Sequence, residues 1–285
     1  MLEFHTPSAE DKPLFEKKSK FLAYEYYFSY CMLWKDSIGI TICKNDTALY
    51  IHIQEDDCFL LPIAEDLLKA MDELETYCKE SGTRFQLECV PSKEALELQQ
   101  KGYEIEHVRN LDDYIYESQK LIKLPGKHLQ SKRNHVSQFE RKYTYVVQPL
   151  TKELFPECMK MVSTTWLNGK EMNKEIKDEL HAIQTAFDNW DLLGLVGILI
   201  CVDHHLTAFT IGEVIDEKLA IVHFEKGDVS YSGIYSVVNQ LFCSMYLSDV
   251  QYINRQEDVG VEGLRKAKLS YQPVMMEEKY RVRKP

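Results

Sequence analysis

Two stretches of this sequence gather side chains that are costly to bury and useful to a reaction. In the first, residues alternate: Leu219, Ile221, His223 and Glu225 point one way, and Ala220, Val222, Phe224 and Lys226 point the other. The strand therefore ends in an imidazole, a carboxylate and an ammonium, which need partners or a ligand once they leave water. It continues through Gly227 and Ser230-Tyr231-Ser232-Gly233 into a helix. Free N–H groups at that helix start would hold an anion, with Gly233 allowing close approach. A plain capping turn on Ser230 or Ser232 is the alternative. In the second stretch, Asn254, Arg255, Gln256, Glu257 and Asp258 directly follow a strand. Gly260 and Gly263 then lead into a short basic helix carrying Arg265 and ending at Ser270-Tyr271. Loops beyond strand ends in open α/β sheets are common ligand sites. The alternative is an exposed turn whose acids, Glu257, Asp258 and Glu262, favour the positive helix start. The working surface is expected over residues 223–271.

The surrounding elements follow from periodicity. Strands are expected at 38–43, 48–53 and 58–63, a helix at 64–81 stopped by Gly82, a strand at 84–90, and a helix from Ser92 to Gly102. Further strands follow at 103–108 and 113–117. Residues 121–127, with Pro125-Gly126, read as a turn, and Ser131 starts a helix with Val136, Phe139 and Tyr143 on its apolar stripe. The second half repeats the order, with strands at 145–148, 195–202, 207–214, 219–224, 251–255 and 274–282. Its helices fall at 152–167, 171–187, 234–247 and 262–269, the third with Ile234, Val238, Leu241 and Met245 along one face. Each half thus runs strand–strand–strand–helix–strand–helix–strand, which is similar to the order of GNAT-type acyltransferases. The expected class is α/β (α+β), with two tandem GNAT-like domains, each a mixed, mainly antiparallel sheet flanked by helices. The division is expected as 1–118, a basic connector and helix at 119–143, and 144–285 carrying the site.

Composition narrows the function. A hydrophobic content of 45% and charged content of 28% over 285 residues suit two globular cores. The net charge of −11 argues against nonspecific binding of nucleic acid or anionic membrane. Yet Lys120, Lys123, Lys127, Lys132, Arg133, Arg141 and Lys142 face only Glu140 within their stretch. Such a patch on an acidic body suits one specific anionic ligand, or else is a solvated helix face. The N-terminus has no basic leader followed by an apolar core, so no signal peptide is expected. The most apolar run, 192–202, is too short for a membrane span. The eight cysteines form no CxxC pair and no set at metal-ligand spacing. They read as reduced, buried thiols in a cytoplasmic protein without a metal site.

A resemblance sharpens the chemistry. The stretches Leu121-Ile-Lys-Leu-Pro-Gly-Lys127 with Lys132-Arg-Asn-His135, Val222-His-Phe-Glu-Lys226, Tyr252-Ile-Asn-Arg-Gln-Glu-Asp258, Gly260-Val-Glu-Gly-Leu-Arg-Lys-Ala-Lys268 and Ser270-Tyr271 carry it. They resemble the soluble family related to the C-terminal domain of phosphatidylglycerol lysyltransferase, akin to the Fem aminoacyl transferases, over most of the chain. The resemblance implies group transfer from an acyl-CoA or an aminoacyl-tRNA, as a donor substrate and not a covalently held cofactor, to an amine or hydroxyl. The lysyltransferases also carry a large membrane-embedded portion, which nothing in this sequence matches, so a lipid acceptor is not expected. The glycine-rich pyrophosphate loop of GNAT enzymes is reduced here to Gly227 and Gly233, which weakens the case for coenzyme A. On this reading Glu225 is the base, Asn254 or the N–H groups near Gly233 hold the oxyanion, and Tyr271 is the acid. Lys226, Arg255 and Arg265, with Gly233, would bind donor phosphates, and Lys132 and Arg133 would extend that track toward a tRNA end. Each has a structural alternative: Glu225 in an ion pair with Lys226 or Arg255, Tyr271 in core packing, His223 satisfied within its sheet. The competing function is a non-catalytic, degenerate transferase fold that binds RNA or a nucleotide through the 120–142 patch.

Overall fold

The apolar run 192–202 becomes strand β9 (Leu195–Val202), preceded by a single helical turn, α9 (Trp190–Leu193), that Gly194 ends in the left-handed conformation. This is a computed structural model, and it describes residues 2–15, 21–167 and 171–284. The chain divides into two units, one formed by Met1–Asp113 with Glu277–Pro285, the other by Tyr114–Met276. Among the described residues no helix is long and apolar enough to cross a membrane. Among the described residues no cysteine forms a disulfide. Burial pushes the thiols of Cys58, Cys78, Cys158 and Cys243 up to about 12, so they stay protonated.

The first unit holds α1 (Lys12–Phe15), α2 (Phe28–Trp34), α3 (Leu67–Ser81) and α4 (Ser92–Gln99). Asp66 caps α3 by accepting from the Lys69 N–H at 3.1 Å, and Gly82 closes it at φ 76°, as its position predicts. The strands are β1 (Ile40–Lys44), β2 (Ala48–Ile53), β3 (Cys58–Phe59), β4 (Ile63–Ala64), β5 (Gln86–Pro91), β6 (Glu104–His107) and β14 (Lys279–Arg283). Their order is β1-β2-β3-β5-β14-β6, with β4 on β2. The run 274–282, expected as one closing strand of the second half, is therefore split. Its latter part crosses back to sit between β5 and β6, antiparallel to both. Lys279 on that strand is fully buried, with Nζ 2.6 Å from Glu25 Oε1 and 2.7 Å from Asp113 Oδ1.

Close by, Glu277 has its carboxyl pushed up to about 7 by burial and by the Asp113 carboxylate, against the opposing pull of Lys279. The folded state thus holds this proton more tightly than the unfolded chain. Its contribution to stability is fully present below the ordinary glutamate range and is lost as pH rises through about 7. Glu277→Gln should accordingly raise the melting temperature at pH 8 and leave it nearly unchanged at pH 4.5. Calorimetry at the two pH values checks this, and an equal gain at both would contradict it.

The second unit's sheet runs β13-β7-β12-β11-β10-β9-β8, built from β7 (Asp113–Glu117), β8 (Tyr145–Pro149), β10 (His205–Val214), β11 (Leu219–Gly227), β12 (Tyr252–Asn254) and β13 (Met275–Glu277). The repeated order read in the sequence is present, but β7, the closing strand of the first half, belongs to this second sheet. One face packs on α5 (Ser118–Lys123), α6 (Gln130–Lys142) and α10 (Ile234–Tyr246), around Phe139, Val222, Phe242 and Ile253. The other face meets α7 (Phe155–Met161) and α8 (Lys174–Asp188), where Phe187 lies against Phe209. The segment 121–127, expected as a turn, is helical up to Lys123 and only then bends, at Leu124 (φ 47°) and Gly126 (φ 77°). Helix α10 buries Val237, Val238, Phe242 and Cys243 while Met245 is exposed. Helix α11 (Glu262–Leu269) completes the unit.

Candidate active site

Strands β11 and β12 run parallel, pairing Leu219 with Tyr252, Ala220 with Ile253 and Ile221 with Asn254. Directly beyond that last pair, β11 carries an extra residue. Ile211 of β10 pairs with Phe224, but Gly212 pairs with Val222, which leaves His223 as a β-bulge. A bulge resets the alternation. Gly212 packs against Phe242 of α10, so its neighbour Glu213 faces the opposite side of the sheet. His223 Nε2 meets Glu213 Oε1 at 2.9 Å, and its Nδ1 lies 3.3 Å from Gln256 Nε2. Glu225 instead rejoins the face of Val222 and is reached by Asn239 of α10 at 3.4 Å. The uninterrupted alternation expected from sequence put His223 and Glu225 on one face; the bulge separates them.

Around Glu225 the structure assembles a polar cluster inside the apolar layer between sheet and helices. Arg255, the first residue after β12, donates through Nη2 to both carboxylate oxygens of Glu225, at 3.1 and 3.3 Å. The two side chains are only 11% and 13% exposed, so little solvent screens the pair. The guanidinium carbon stands 4.9 Å from the Tyr271 ring centroid and 5.7 Å from that of Tyr116. Lys132 of α6 brings its Nζ to 4.1 Å from the Tyr271 centroid. Burial and the nearby Arg255 charge pull the Lys132 ammonium below its ordinary value, and Glu225 opposes them. Burial opposes ionisation of Arg255, but Glu225 and the surrounding aromatic hydroxyls hold it above its usual range. The Tyr271 hydroxyl is raised by burial and donates to Ser236 Oγ at 3.4 Å, and Ser236 in turn lies 3.5 Å from His135 Nδ1. Among the described residues, two buried polar atoms of the cluster have no hydrogen-bond partner: Nη1 of Arg255 and Oδ1 of Asn239. Each shares its carbon with the nitrogen that contacts the same Glu225 carboxylate.

The loop after β12 is built to hold Arg255 in place. The Asn254 side chain, fully buried, accepts the Gln256 N–H at 2.6 Å. Gln256 and Val259 have φ of 60° and 44°, a strained region for side chains of those shapes. Lys268 of α11 offsets that strain. Its Nζ donates to the carbonyls of Arg255 at 2.7 Å and Gln256 at 3.1 Å, and also to that of Glu257. Asp258 anchors the far side, accepting from the Gly260 N–H at 2.8 Å, from Tyr114 Oη, and from both Nε and Nη2 of Arg265 at 2.8 Å. Those bonds hold the Asp258 carboxyl well below the usual range despite its burial.

Of the residues singled out in the sequence, Glu225, Arg255, Tyr271 and Lys132 come together. Asn254 lies beneath them and spends its side-chain oxygen on the loop. Arg265 is engaged by Asp258, and Lys226 faces α8, 2.5 Å from Glu179. Arg133 donates to the carbonyls of Leu124 and Gly126, closing the end of α5. Gly233, at φ 92°, is where α6 crosses the start of α10, since a Cβ there would stand 2.7 Å from the His135 carbonyl. The close approach that its position predicts is therefore made by backbone. Asn239, Ser236, Tyr116 and Lys268 were not legible as site residues. Asn239 sits in an apolar helix, and Lys268 reads as one more exposed cation of a basic helix.

A family model described as phosphatidylglycerol lysyltransferase, C-terminal, matches residues 17–283. A conserved protein of unknown function from Bacteroides thetaiotaomicron has 30% identity, a TM-score of 0.93 and coverage of 99% of both chains. The structure of L-PGS from Bacillus licheniformis, 14% identical, superposes with a TM-score of 0.66 over 98% of this chain and 92% of that one. A tandem GNAT protein from the clavulanic acid biosynthesis pathway, 8% identical, gives 0.51 over 99% and 98%. The fold is thus the tandem GNAT-like one expected from the order of elements, and family and fold together are of the acyl or aminoacyl transferase type. The chain belongs to the phosphatidylglycerol lysyltransferase C-terminal family.

Proposed function

We propose that the second unit transfers an acyl or aminoacyl group from an activated donor, a coenzyme A thioester or an aminoacyl-tRNA ester, to an amine or hydroxyl. One observation carries this reading. A carboxylate, a guanidinium, a phenol and an ammonium meet where two parallel strands stop pairing, with a buried donor and a buried acceptor left unsatisfied. Glu225 takes the proton of the attacking group. Lys132, half-buried over Tyr271, supplies positive charge to the developing oxyanion, since Asn254 is committed to its loop. Tyr271, kept protonated by burial, delivers a proton to the leaving group. The nucleic-acid-only reading has less support, because three cations of the 120–142 patch are engaged internally. Lys120 donates to the Gln272 carbonyl, Arg133 to Leu124 and Gly126, and Arg141 to Ser137.

The donor is tested by melting the protein with acetyl- and long-chain acyl-CoA, and by measuring tRNA binding across salt concentrations. A native-state ligand must raise the melting temperature, and tRNA binding must weaken steeply with salt. With the donor in hand, Glu225→Gln should slow transfer by about 10²–10⁴-fold while leaving donor affinity within a few-fold. An undiminished transfer rate would remove Glu225 as the base.

A further inference from the structure

We infer that the acceptor held by this site is a free α-amino acid, with its carboxylate on Arg255 and its amine between Glu225 and Asn239. The inference rests on the transferase reading above and adds the class of acceptor. The charges of the cluster do not balance. Arg255 and Lys132 both stand over the Tyr271 ring, at 4.9 and 4.1 Å, and the charges acting on Lys132 are Arg255, which opposes its ionisation, and Glu225. Two cations thus share one carboxylate in a region that water screens poorly, and the cluster lacks an anion. The pair of unsatisfied atoms calls for the same ligand. Arg255 Nη1 is a buried donor that requires an acceptor, and Oδ1 of Asn239, a residue only 1% exposed, is a buried acceptor that requires an N–H. Both side chains contact the same Glu225 carboxylate, so the ligand must offer its acceptor and its N–H within a few bonds of each other.

An α-amino acid does this. Its carboxylate accepts a charge-assisted hydrogen bond from Arg255 Nη1, and its nitrogen answers Asn239 and Glu225. With the amine uncharged, as nucleophilic attack requires, two carboxylates face two cations, so the charge balance favours the reactive form. The amine nitrogen then attacks the acyl carbon of the donor ester or thioester and passes a proton to Glu225. The C–N bond forms, and the C–O or C–S bond breaks. The leaving group takes a proton from Tyr271, which recovers it from Glu225 through solvent. The products are an N-acyl amino acid and the free alcohol or thiol.

The test is a thermal-shift panel on the full chain, using the L-amino acids at about 10 mM beside their carboxamides and N-acetyl forms. At least one free amino acid should raise the melting temperature by about 3 °C, and its carboxamide and N-acetyl form by less than about a third of that. Arg255→Lys keeps the charge but loses the fork, and should abolish most of the shift. Should that variant fold poorly, Asn239→Leu, which removes the orphan acceptor, should weaken the same ligand. No shift from any free amino acid overturns the inference. Equal shifts from acid and carboxamide also overturn it, and would assign the site to the aminoacyl group of a donor. If either result comes with turnover of a coenzyme A ester or aminoacyl-tRNA, the transferase reading stands and only the acceptor class falls. Amino acid binding without consumption of any donor would keep the ligand and overturn the reaction.

Discussion

A chain ended after Met276 is expected to lose the first unit's sheet while keeping the second's. Strand β14 lies inside the first sheet, paired with β5 through Lys279–Pro91, Tyr280–Val90, Val282–Leu87 and Arg283–Gln86, and with β6 on its other side. Without it β6 has no neighbour in that sheet, because β14 is its link to the rest. The truncation also removes the Lys279 ammonium, leaving the Glu25 and Asp113 carboxylates, 3% and 0% exposed, without their shared cation. Breaking a buried ion pair from one side costs about 3–5 kcal/mol. A domain commands only about 5–15 kcal/mol in total, so losing the strand as well should unfold the unit. Hydrogen exchange read by mass spectrometry checks this: protection should vanish in β5 and β6 and persist in β9, β10 and β11. Lys279→Met isolates the charge, and should lower the stability of the first unit by about 3 kcal/mol with its strand retained. Native-like protection in the shortened chain would show that the sheet does not depend on β14.

The second large effect belongs to Arg255. Its replacement by methionine leaves the Glu225 carboxylate, 13% exposed, without its two-oxygen partner, and removes a cation from the faces of Tyr271 and Tyr116. The expected loss is about 3 kcal/mol, most of it from the stranded carboxylate and about 1 kcal/mol from the ring contacts. Glu225→Gln combined with Arg255→Met should be clearly more stable than Arg255→Met alone, because neither charge is then stranded. Urea denaturation of both single variants and the double variant gives the coupling directly. If Arg255→Met unfolds within about 0.5 kcal/mol of the parent, the pair is screened by solvent and the site is well hydrated.

Most elements were legible because periodicity reports burial. The stop at Gly82, the span of α3 and the buried strand within 192–202 all follow from residue type and spacing. Three features were not. The bulge at His223 leaves no trace in composition, because Val222-His223-Phe224 reads as ordinary alternation. The crossing of β14 into the first sheet is a matter of partner choice, which a strand's own sequence does not encode. Residues 118–123 are helical although Pro125-Gly126 draws attention to a turn; that turn begins only at Leu124. Of the candidate site residues, Glu225 and Arg255 stand out as charges at strand ends, whereas Tyr271, just past the end of the last helix, and Lys132, in the basic helix, were singled out on the family resemblance. The residues that complete their surroundings did not stand out. Ser236 and Asn239 read in sequence as ordinary surface positions of a helix, although both are buried, and Lys268 is one basic residue among several.

The crossing strand also fixes an order of events during synthesis. The residues of the first unit leave the ribosome first, yet the strand that completes their sheet follows β6 by roughly 170 residues. At about 5–20 residues per second, β5 and β6 wait on the order of ten seconds or more for β14. Over that interval their facing edges are open to other strands, as unpaired edges generally are. The second unit, though encoded later, has all of Tyr114–Met276 available before the first can close. The N-terminal unit is begun first and finished last.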